Sequence, residues 1–529
     1  MWSGIQVFYG SLLETRKGLL FTFFLSAMLK GTIFFLNSNS AVNHDALTYI
    51  AAAQEFTKGN FTGALAIHPL ALYPLLISLV HCFTPDWVTA ARLISFMSLL
   101  LMLIPLYFLA EDLYDRRVAF WSCLSFSFSP EPVRLCLQVL REPLFALMFA
   151  AFCFLAQRAI VSKKMPHLIG AAAAAFLAVL CRPEGAIVLP IYLIFLIGLA
   201  ISKPSERKTF LKFIFTWIMS MIVFLGIIMA AAFIGHSFIR EGNQYIGYLR
   251  DFFKMNFLEN YYRICTQLAQ MQKFSPHDTA GWNFSEIANR SVPLIYLIGM
   301  LKGLIKFTFI SNIVALFLGL KRFIFSRTHL LILFLALSYF AMIYCFVIYT
   351  DMFDTRFFLA PAVVLYPWIG MGIRKTLTEL SQLSYGKIMA AGAALLFIIT
   401  PLTKSNHLFI KPNDVVIQAG EWLADQPELK ASKIMSTDDR VLFYACREGF
   451  CLTNYIVCRK TFTVDYECLE KEANKIGVDT LIIFEDLENR TAPDHIRGYT
   501  KAKEFIDPKK AIFIYLTVAP SDKHITQPE

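Results

Sequence analysis

Charged residues are scarce in this sequence. Asp, Glu, Lys and Arg make up 17% of its 529 residues, and hydrophobic residues make up 57%, whereas ordinary globular domains have roughly 25% and 45–50%. A soluble fold could not bury so much apolar surface, so most of the chain is expected to lie in lipid. The composition therefore excludes an ordinary soluble enzyme, a disordered protein and a disulfide-rich mini-protein.

The sequence also lacks the common motifs that bind nucleotides and catalytic metals. It has no P-loop, no GxGxxG, no HExxH and no DxD motif. Transport driven by ATP hydrolysis would need the P-loop, in this chain or in a partner. A soluble-type glycosyltransferase that uses a nucleotide-sugar would need the DxD motif to hold its metal. The absent DxD motif argues against the second class, and the first class would need its P-loop in a partner.

Long apolar runs separated by short basic loops are what the sequence does contain. It has 49 basic and 39 acidic residues, a net charge of +10. Basic residues in short loops are typical of the positive-inside rule and not of a nucleic-acid interface, so no nucleic-acid partner is expected. The predicted inner loops contain Arg16, Lys17, Arg116, Arg117, Arg158, Lys163, Lys164, Lys203, Arg207, Lys208, Lys212, Lys321, Arg322, Arg327, Arg374, Lys375 and Lys387.

The apolar runs predict a polytopic α-helical membrane protein with about eleven spans. The first, 18–36, is longer than the apolar core of a signal peptide, which is about 7–15 residues. We expect an uncleaved signal-anchor whose Lys30 snorkels to the membrane surface. The segment 69–83 is either an extra span or a re-entrant segment. The other predicted spans are 88–110, 117–130, 142–160, 167–181, 185–202, 213–235, 294–318, 329–350, 358–373 and 386–402.

Loop charge predicts a cytoplasmic N-terminus. The first outer loop, about 37–87, is long, yet Lys58 is its only Lys or Arg. A second large outer loop covers about 236–293. An odd number of spans places residues 403–529 outside, and their mixed composition predicts a small extracytoplasmic α/β domain after a membrane domain of residues 1–402. The expected location is the bacterial inner membrane.

The predicted outer domain alternates helix-like and strand-like segments. Residues 415–424 have helical periodicity, while 440–446, 480–484 and 511–518 are typical of strands. Its cysteines lack the CxxC spacing of a zinc site. Outside the cell they allow three disulfide pairings, and free thiols are an equal alternative. These cysteines are Cys446, Cys451, Cys458 and Cys468.

The first outer loop contains the most informative residues. Apolar residues of the segment 43–56 recur at helical spacing, which predicts a short interfacial helix. Asp45 stands at its start, and position alone favours an N-cap, because Asp accepts hydrogen bonds from the first N–H groups of a helix. On the same basis His44 and His68 are interfacial histidines without a ligand role.

Four short motifs follow one another along the chain, all on the predicted outer side. They are Asp45 and Tyr49 followed by His68–Pro69–x–x–x–Tyr73–Pro74–Leu75–Leu76, then Arg141–Glu142–Pro143–Leu144–Phe145, then Arg182–Pro183–Glu184–Gly185, and last Thr355–Arg356–Phe357–Phe358–Leu359–Ala360–Pro361. Over roughly residues 18–402 the chain thereby resembles the GT-C superfamily of membrane glycosyltransferases. The nearest branch contains bacterial relatives of protein O-mannosyltransferases and the lipid A aminoarabinose transferase.

This resemblance implies transfer of a sugar from a polyprenyl phosphate carrier to a hydroxyl acceptor on the outer side. The sugar–phosphate bond would supply the energy, so no nucleotide site is needed. Such a reaction needs a carboxylate that takes the proton of the acceptor hydroxyl and a fixed cation that stabilises the leaving phosphate. Asp45 matches the first role and Arg356 the second. The alternative for Arg356 is a snorkelling or topology-setting arginine beside Asp351 and Asp354.

Polar residues of the other motifs are expected to line the substrate cavity. An ionisable group at membrane depth costs about 2.5–3.5 kcal/mol on insertion scales, so such groups usually face a cavity or each other. Structural ion pairs are therefore an equal alternative. The candidates are Tyr49, His68, Arg141, Glu142, Arg182 and Glu184. Lys302 and Lys306 are further candidates for phosphate binding, although snorkelling is the favoured interpretation.

The sequence departs from the protein mannosyltransferase pattern at two places. Ala46 follows Asp45, where those enzymes have Glu, and Phe357 replaces the Tyr after Arg356, with Pro361 one residue nearer. The sugar and the acceptor, which is a lipid, a glycan or a protein, therefore stay open.

The expected partners are the polyprenyl-phosphate-sugar donor, that acceptor and membrane lipids. No cofactor is assigned. Some members of the family bind a divalent metal near the first outer loop, but His44, Glu55 and His68 have no diagnostic spacing, so no metal ligands are assigned either.

Two other classes of protein compete with a transferase. A secondary transporter or lipid flippase also uses intramembrane charges, but it is expected to have inverted repeats and broken helices in matching halves, and the sequence has no internal repeat. A structural subunit without catalysis would tolerate the loss of Asp45.

Overall fold

A computed structural model of the chain describes residues 16–234, 257–273, 279–321, 326–350, 352–410, 414–426, 433–445, 454–455, 459–460, 463–486, 493, 495–507 and 510–517. The chain forms two compact units, which we call the membrane unit (Met1–Phe35 and Ala52–Phe409) and the tail unit (Leu36–Ala51 and Ile410–Glu529). The tail unit thus includes a segment of the predicted first outer loop. Some residues considered in the sequence analysis lie outside the described residues. They include Asp351, Cys446, Cys451, Cys458 and, in the predicted outer loop 236–293, residues 236–256 and 274–278.

Most of the described helices precede the first strand, and the described strands all lie after residue 433. The helices are α1 (Lys17–Leu36), α2 (His44–Thr57), α3 (Phe61–Ile67), α4 (Leu72–His81), α5 (Trp87–Leu101), α6 (Leu103–Leu113), α7 (Arg116–Phe128), α8 (Pro130–Leu135), α9 (Glu142–Ser162), α10 (Met165–Cys181), α11 (Val188–Ser202), α12 (Arg207–Ile234), α13 (Phe257–Lys273), α14 (Thr279–Thr308), α15 (Ile310–Leu320), α16 (Arg327–Thr350), α17 (Leu359–Val363), α18 (Tyr366–Ser381), α19 (Gly386–Thr403), α20 (Val415–Ala424), α21 (Asp439–Ala445) and α22 (Tyr466–Ile476). The strands are β1 (Ile434–Ser436), β2 (Asn454–Tyr455), β3 (Arg459–Lys460), β4 (Thr463–Val464), β5 (Thr480–Asp486), β6 (His495–Ile496), β7 (Tyr499–Ile506) and β8 (Lys510–Thr517).

Long apolar helices dominate the membrane unit. Among the described residues, eight helices are long and apolar enough to cross a membrane, or nine if the bent pair formed by Thr355–Val363 and Tyr366–Ser381 counts as one span. The spans expected at 117–130 and 167–181 are α7 and α10, with 13 and 17 residues. The span expected at 294–318 is interrupted at Phe309, which has a φ of +73°. The protein is therefore an integral, multi-pass membrane protein, as its composition predicts.

Lys30 lies inside the bundle, so the prediction that it snorkels to the membrane surface was wrong. Its side chain is fully buried. Its Nζ donates to Ser26 Oγ at 2.7 Å and to the Ser127 carbonyl at 3.0 Å. Ser127 lies in the last turn of α7, where carbonyl groups have no partner within the helix. The ammonium therefore finds two acceptors in the core, which offsets part of the cost of its burial.

Helices α15 and α18 approach closely through glycine. A Cβ atom at Gly319 would overlap the carbonyl oxygen of Trp368, and one at Gly372 would overlap that of Ala315. Small residues at such positions let membrane helices pack backbone against backbone. This contact fixes α18, and with it the end of the preceding segment 355–363.

A six-stranded mixed sheet forms the centre of the tail unit. The strand order is β2-β1-β5-β8-β7-β6; β1 pairs in parallel with β2 and β5, and the other pairs are antiparallel. Alternate residues of β5 enter two different apolar cores: Leu481 and Ile483 pack with α22, while Ile482 and Phe484 pack with α20 and α21. The predicted α/β fold of the tail is therefore confirmed.

Two further expectations for the tail have clear outcomes. Helix α20 and strands β5 and β8 lie where they were expected, but residues 439–445 form helix α21, so the strand predicted at 440–446 was wrong. A short run of apolar residues fits either conformation, and sequence periodicity alone does not distinguish them. Cys468 is disulfide-bonded.

Candidate active site

Arg182 holds two buried carboxylates together in the membrane unit. Its Nη1 donates to Glu142 Oε1 at 2.5 Å, and its Nη2 donates to Glu184 Oε1 at 2.8 Å. All three side chains are at most 7% exposed. Glu142 opens α9, whereas Arg182 and Glu184 lie in the turn after α10. The turn has space only for glycine at position 185, because a Cβ atom there would lie 2.8 Å from the backbone of Ala178.

Arg356 lies next to this group. Its Nε is 3.0 Å from Asp354 Oδ2 and 3.6 Å from Glu142 Oε1, and its guanidinium lies over the ring of Phe357. Asp354 also caps the short helix that carries Arg356, since its Oδ1 accepts from the Arg356 amide. The side chains of Arg356 and Asp354, which are close together in the sequence, thus form an ion pair that orients the guanidinium.

A small cavity, which we call the ionic cavity, lies between these side chains. Its lining includes Glu142, Arg182, Glu184, Tyr339 and Arg356. Its volume of about 20 Å³ has room for about one water molecule. In this conformation the ionic cavity therefore admits no sugar ring, and its charged groups mainly satisfy one another.

A second and larger cavity, which we call the cationic cavity, borders the same segment on the side of Asp354 and Thr355. Its volume is about 380 Å³, within the range of ligand sites. Besides those two residues, its lining consists of Pro130, Glu131, Arg134, Lys306, Phe353, Lys404, Ser405, His407 and Leu408.

The charges in the cationic cavity do not cancel. Glu131 is paired with Arg134, 2.6 Å away, and it also accepts a hydrogen bond from Thr355. Asp354 is paired with Arg356 as described above. Within the described part of the chain, Lys306, Lys404 and His407 form no ion pair. The two acidic groups are thus neutralised by arginines, and an excess of positive charge faces the cavity. Such a surface favours a phosphate or another anion.

The remaining predicted site residues fall into two places. His68 and Arg141 lie together in the membrane unit, with His68 Nε2 3.4 Å from Arg141 Nη1. Asp45 and Tyr49 lie in the tail unit, one turn apart on α2, so they share one face of that helix. The helix begins at His44, so Asp45 lies inside its first turn, where a negative charge is favourable. Asp45 is therefore not at the N-cap position, which is the residue before the helix.

His44 has a partner in the tail unit that the sequence did not predict. Its Nδ1 lies 2.5 Å from Asp439 Oδ1. Together with Asp438, these residues bring three ligand atoms within 4.8 Å of one another, a spacing that suits a metal ion.

The charge of Arg440 argues against a metal ion there. Arg440 Nε donates to Asp438 Oδ1 at 2.9 Å and its Nη2 to Oδ2 at 2.5 Å. Burial alone would raise the pKa of the Asp438 carboxyl, but the hydrogen bonds and positive charge of Arg440 outweigh burial and hold the pKa below its usual value. Both oxygens of Asp438 are thus engaged by a cation, so the group does not fit a divalent metal, and we derive no catalytic step through one.

Several residues near these sites escaped prediction from the sequence. Tyr339 lines the ionic cavity from the middle of α16, and Lys404 and His407 line the cationic cavity from the end of the membrane unit. None belongs to a motif. The signal that could have indicated the last two is their position: they immediately follow the last apolar span.

Comparison with known proteins agrees with this architecture. Residues 68–232 match the family model described as "Dolichyl-phosphate-mannose-protein mannosyltransferase". ArnT from Cupriavidus metallidurans, bound to undecaprenyl phosphate, is 11% identical with a TM-score of 0.55, over 96% of this chain and 99% of that one. The oligosaccharyltransferase AglB from Archaeoglobus fulgidus, in complex with an inhibitory peptide and a dolichol-phosphate, is 13% identical with a TM-score of 0.55, over 89% of this chain and 69% of that one.

At such low identity these likenesses establish the fold. No curated protein sequence matches the chain. The family resemblance drawn from the four motifs is confirmed by the family model and by the two structures together. The chain has the fold of these two membrane proteins, ArnT and AglB, and its residues 68–232 are similar to the dolichyl-phosphate-mannose-protein mannosyltransferase family.

Proposed function

We propose that this protein transfers a sugar from a polyprenyl-phosphate-linked donor to a hydroxyl group of a lipid, a glycan or a protein. The observation that carries the proposal is the likeness, over 96% of the chain, to a structure bound to undecaprenyl phosphate. A second structure of this fold contains a dolichol-phosphate, and the family description names a dolichyl-phosphate sugar. The lack of a nucleotide motif agrees with a donor that carries its own energy in a sugar–phosphate bond.

The transfer is assigned to the extracytoplasmic side of a bacterial inner membrane. Lys and Arg are frequent in the loops that this orientation places in the cytoplasm. The disulfide of Cys468 supports an outside position for the tail unit, because disulfides persist in oxidising compartments.

Asp45 is the proposed general base. Its carboxylate takes the proton of the acceptor hydroxyl while the oxygen forms a bond to the anomeric carbon. The bond between that carbon and the phosphate oxygen breaks, and its electron pair stays on the phosphate. The products are the glycosylated acceptor and the free polyprenyl phosphate.

The leaving phosphate needs positive charge that is already in place. Arg356 is the proposed phosphate-binding residue, and the cationic cavity beside it extends the positive surface through Lys306 and Lys404, with the ring of His407 beside them. These three groups are not neutralised by acidic partners in the described chain, so they are available to an anion. Arg356 and the cationic cavity would together stabilise the negative charge that grows on the phosphate.

The other candidates form the proposed polar wall of the substrate cavity. Glu142 lies 3.6 Å from Arg356 Nε and helps to orient its guanidinium, while Arg182 holds Glu142 and Glu184 together. We further assign Arg141 with His68 to this wall in the membrane unit. Tyr49, on the same face of α2 as Asp45, is a proposed substrate contact in the tail unit. Contact of the sugar with the ionic cavity would need these side chains to move apart, because the cavity has the size of a water molecule.

The experiment that tests the function compares envelope glycolipids and glycoproteins by mass spectrometry, in cells with and without the gene. We expect one sugar to be missing from one acceptor when the gene is absent. The purified protein should then transfer that sugar from a polyprenyl phosphate carrier. Identical glycoconjugates in both strains, together with a defect in lipid translocation, would favour the transporter.

The role of Asp45 is tested by Asp45→Asn. Asn keeps the size of the side chain but cannot take a proton, so transfer should fall about 100-fold or more while thermal stability stays near wild type. The matched control is Glu55→Gln, which changes a partly buried carboxylate of the same loop that is paired with Lys58 and should leave transfer unchanged. Near-normal transfer by a folded Asp45→Asn protein would remove Asp45 from the mechanism.

A further inference from the structure

The chain segment just before Asp45 is held by the tail unit at three points. The Ala41 N–H donates to Asp414 Oδ2 at 2.9 Å, and the Val42 N–H donates to the Tyr444 hydroxyl at 3.0 Å. His44 Nδ1 lies 2.5 Å from Asp439 Oδ1. All these residues belong to the tail unit. Three anchors thus fall within the four residues that precede Asp45.

The two backbone hydrogen bonds are the stronger anchors. Val42 is 3% exposed, so its N–H would lack a partner without Tyr444. Ala41 packs against the apolar core formed by α20, α21, β5 and β8. The side chain of His44 is 55% exposed, so its contact with Asp439 is screened by water and contributes less.

Asp414 links the segment to the start of a helix. Its Oδ1 accepts from the Val416 N–H and so caps α20, while its Oδ2 accepts from Ala41. Movement of Ala41 therefore has to disturb either this hydrogen bond or the cap of α20. Because three residues of chain extend at most about 10 Å, an anchor at Val42 restricts the position of Asp45.

We propose that Asp414 and Tyr444 of the tail unit are positioning residues that hold the segment 41–44 in place and thereby fix the carboxylate of Asp45 for catalysis, with His44–Asp439 as a weaker third contact. The inference rests on the proposed role of Asp45. It gives the tail unit a part in the transfer step itself. A displacement of about 1 Å at a catalytic group costs up to about 100-fold in rate, so loss of an anchor should lower kcat.

Two substitutions remove the strong anchors one at a time. Tyr444→Phe deletes the hydroxyl that accepts from Val42. Asp414→Asn replaces one carboxylate oxygen by an amide, which cannot accept from Ala41, while Asn still caps a helix as well as Asp does. The matched controls are Tyr499→Phe, which deletes another buried hydroxyl of the tail unit that donates to the Val478 carbonyl, and Asp465→Asn at the cap of α22.

The first readout is hydrogen–deuterium exchange in full-length protein in nanodiscs. A peptide that covers residues 37–47 should exchange about tenfold faster in Tyr444→Phe and in Asp414→Asn than in wild type or either control. The second readout is transfer kinetics. We expect kcat to fall about tenfold in each variant, with KM for the donor changed less than about twofold, because the donor site is intact. Asp439→Asn, which keeps an acceptor for His44, should stay close to wild type.

The third readout separates positioning from general instability. In the Asp45→Asn background, Tyr444→Phe should cause no further loss of transfer, because no base remains to be positioned. Unchanged exchange in both anchor variants would overturn the inference even if Asp45→Asn is inactive, and so would faster exchange with normal kcat, or an additive loss in the double variant. Full activity of Asp45→Asn alone would instead overturn the proposed base, and the inference with it.

Discussion

Arg182 donates to Glu142 at 2.5 Å although the two residues are 40 positions apart in the chain. The same guanidinium binds Glu184 through two hydrogen bonds, at 2.8 and 3.2 Å. One cation therefore neutralises two buried carboxylates, and Glu142 in turn lies 3.6 Å from Arg356. The placement of Arg356 depends on this arrangement.

Arg182→Gln should strongly destabilise the protein. It leaves Glu142 and Glu184 buried without their cation, and breaking a buried pair in this way costs about 3–5 kcal/mol. Thermal unfolding in detergent measures the effect. The control is Arg290→Gln, which breaks a pair with Glu286 whose arginine is 79% exposed and should cost less than about 1 kcal/mol. Equal stabilities of the two variants would contradict a structural role for Arg182.

Reversing charge in the cationic cavity should weaken use of the donor. Lys404→Glu and Lys306→Glu place an acid where we expect a phosphate, so kcat/KM for the donor lipid should fall about tenfold or more, which corresponds to about 1.4 kcal/mol. The wild-type reaction should also slow as salt screens the cavity.

Lys302→Glu is the matched control for these variants. Lys302 lies one turn before Lys306 on α14 and is exposed, but it does not line the cavity. Its substitution should leave kcat/KM within about twofold of wild type. A loss as large as that of Lys306→Glu would show that net charge, rather than the cavity, determines donor use.

Asp438 and Arg440 should make the stability of the tail unit sensitive to acid. The pKa of Asp438 lies below its usual value in the folded state. Its carboxylate therefore stabilises the fold at a pH above about 4, the pKa of an unfolded Asp, and this contribution is lost as the pH falls through the lower folded value. Asp438→Asn should lower the unfolding temperature of the full-length protein near neutral pH and flatten its decline below about pH 4. If the unfolding temperature of Asp438→Asn fell with pH in the same way as that of the wild type, the pair of Asp438 and Arg440 would not be the cause of the acid sensitivity.

The sequence was most informative where a physical rule acts over a short window. Apolar runs located most of the spans, because lipid requires about 20 apolar residues in sequence. The strand pattern around Leu481 located β5, because the side chains of successive strand residues point to opposite faces and this pattern is visible within a few residues. The motifs indicated Glu142, Arg182, Glu184 and Arg356, which the structure brings together.

Features that depend on distant partners could not be predicted in this way. Lys30 is buried because the end of α7 supplies an acceptor, and Ser127 is 97 positions away. The anchors of Ala41 and Val42 lie 373 and 402 positions along the chain. No pattern within a window of a helix or strand contains such a pair, so contacts of this kind come only from the folded structure.

Membrane orientation is the last prediction, and the proposed chemistry depends on it. Arg497 in the tail unit has a side chain that is 89% exposed, and Lys164 lies exposed in a predicted inner loop between α9 and α10. A membrane-impermeant maleimide should therefore label Arg497→Cys in intact cells, above the background of the native cysteines. It should label Lys164→Cys only after lysis, because basic short loops stay in the cytoplasm. The reverse pattern would place Asp45, which belongs to the tail unit with Arg497, on the cytoplasmic side, and transfer outside the cell would then have to be abandoned.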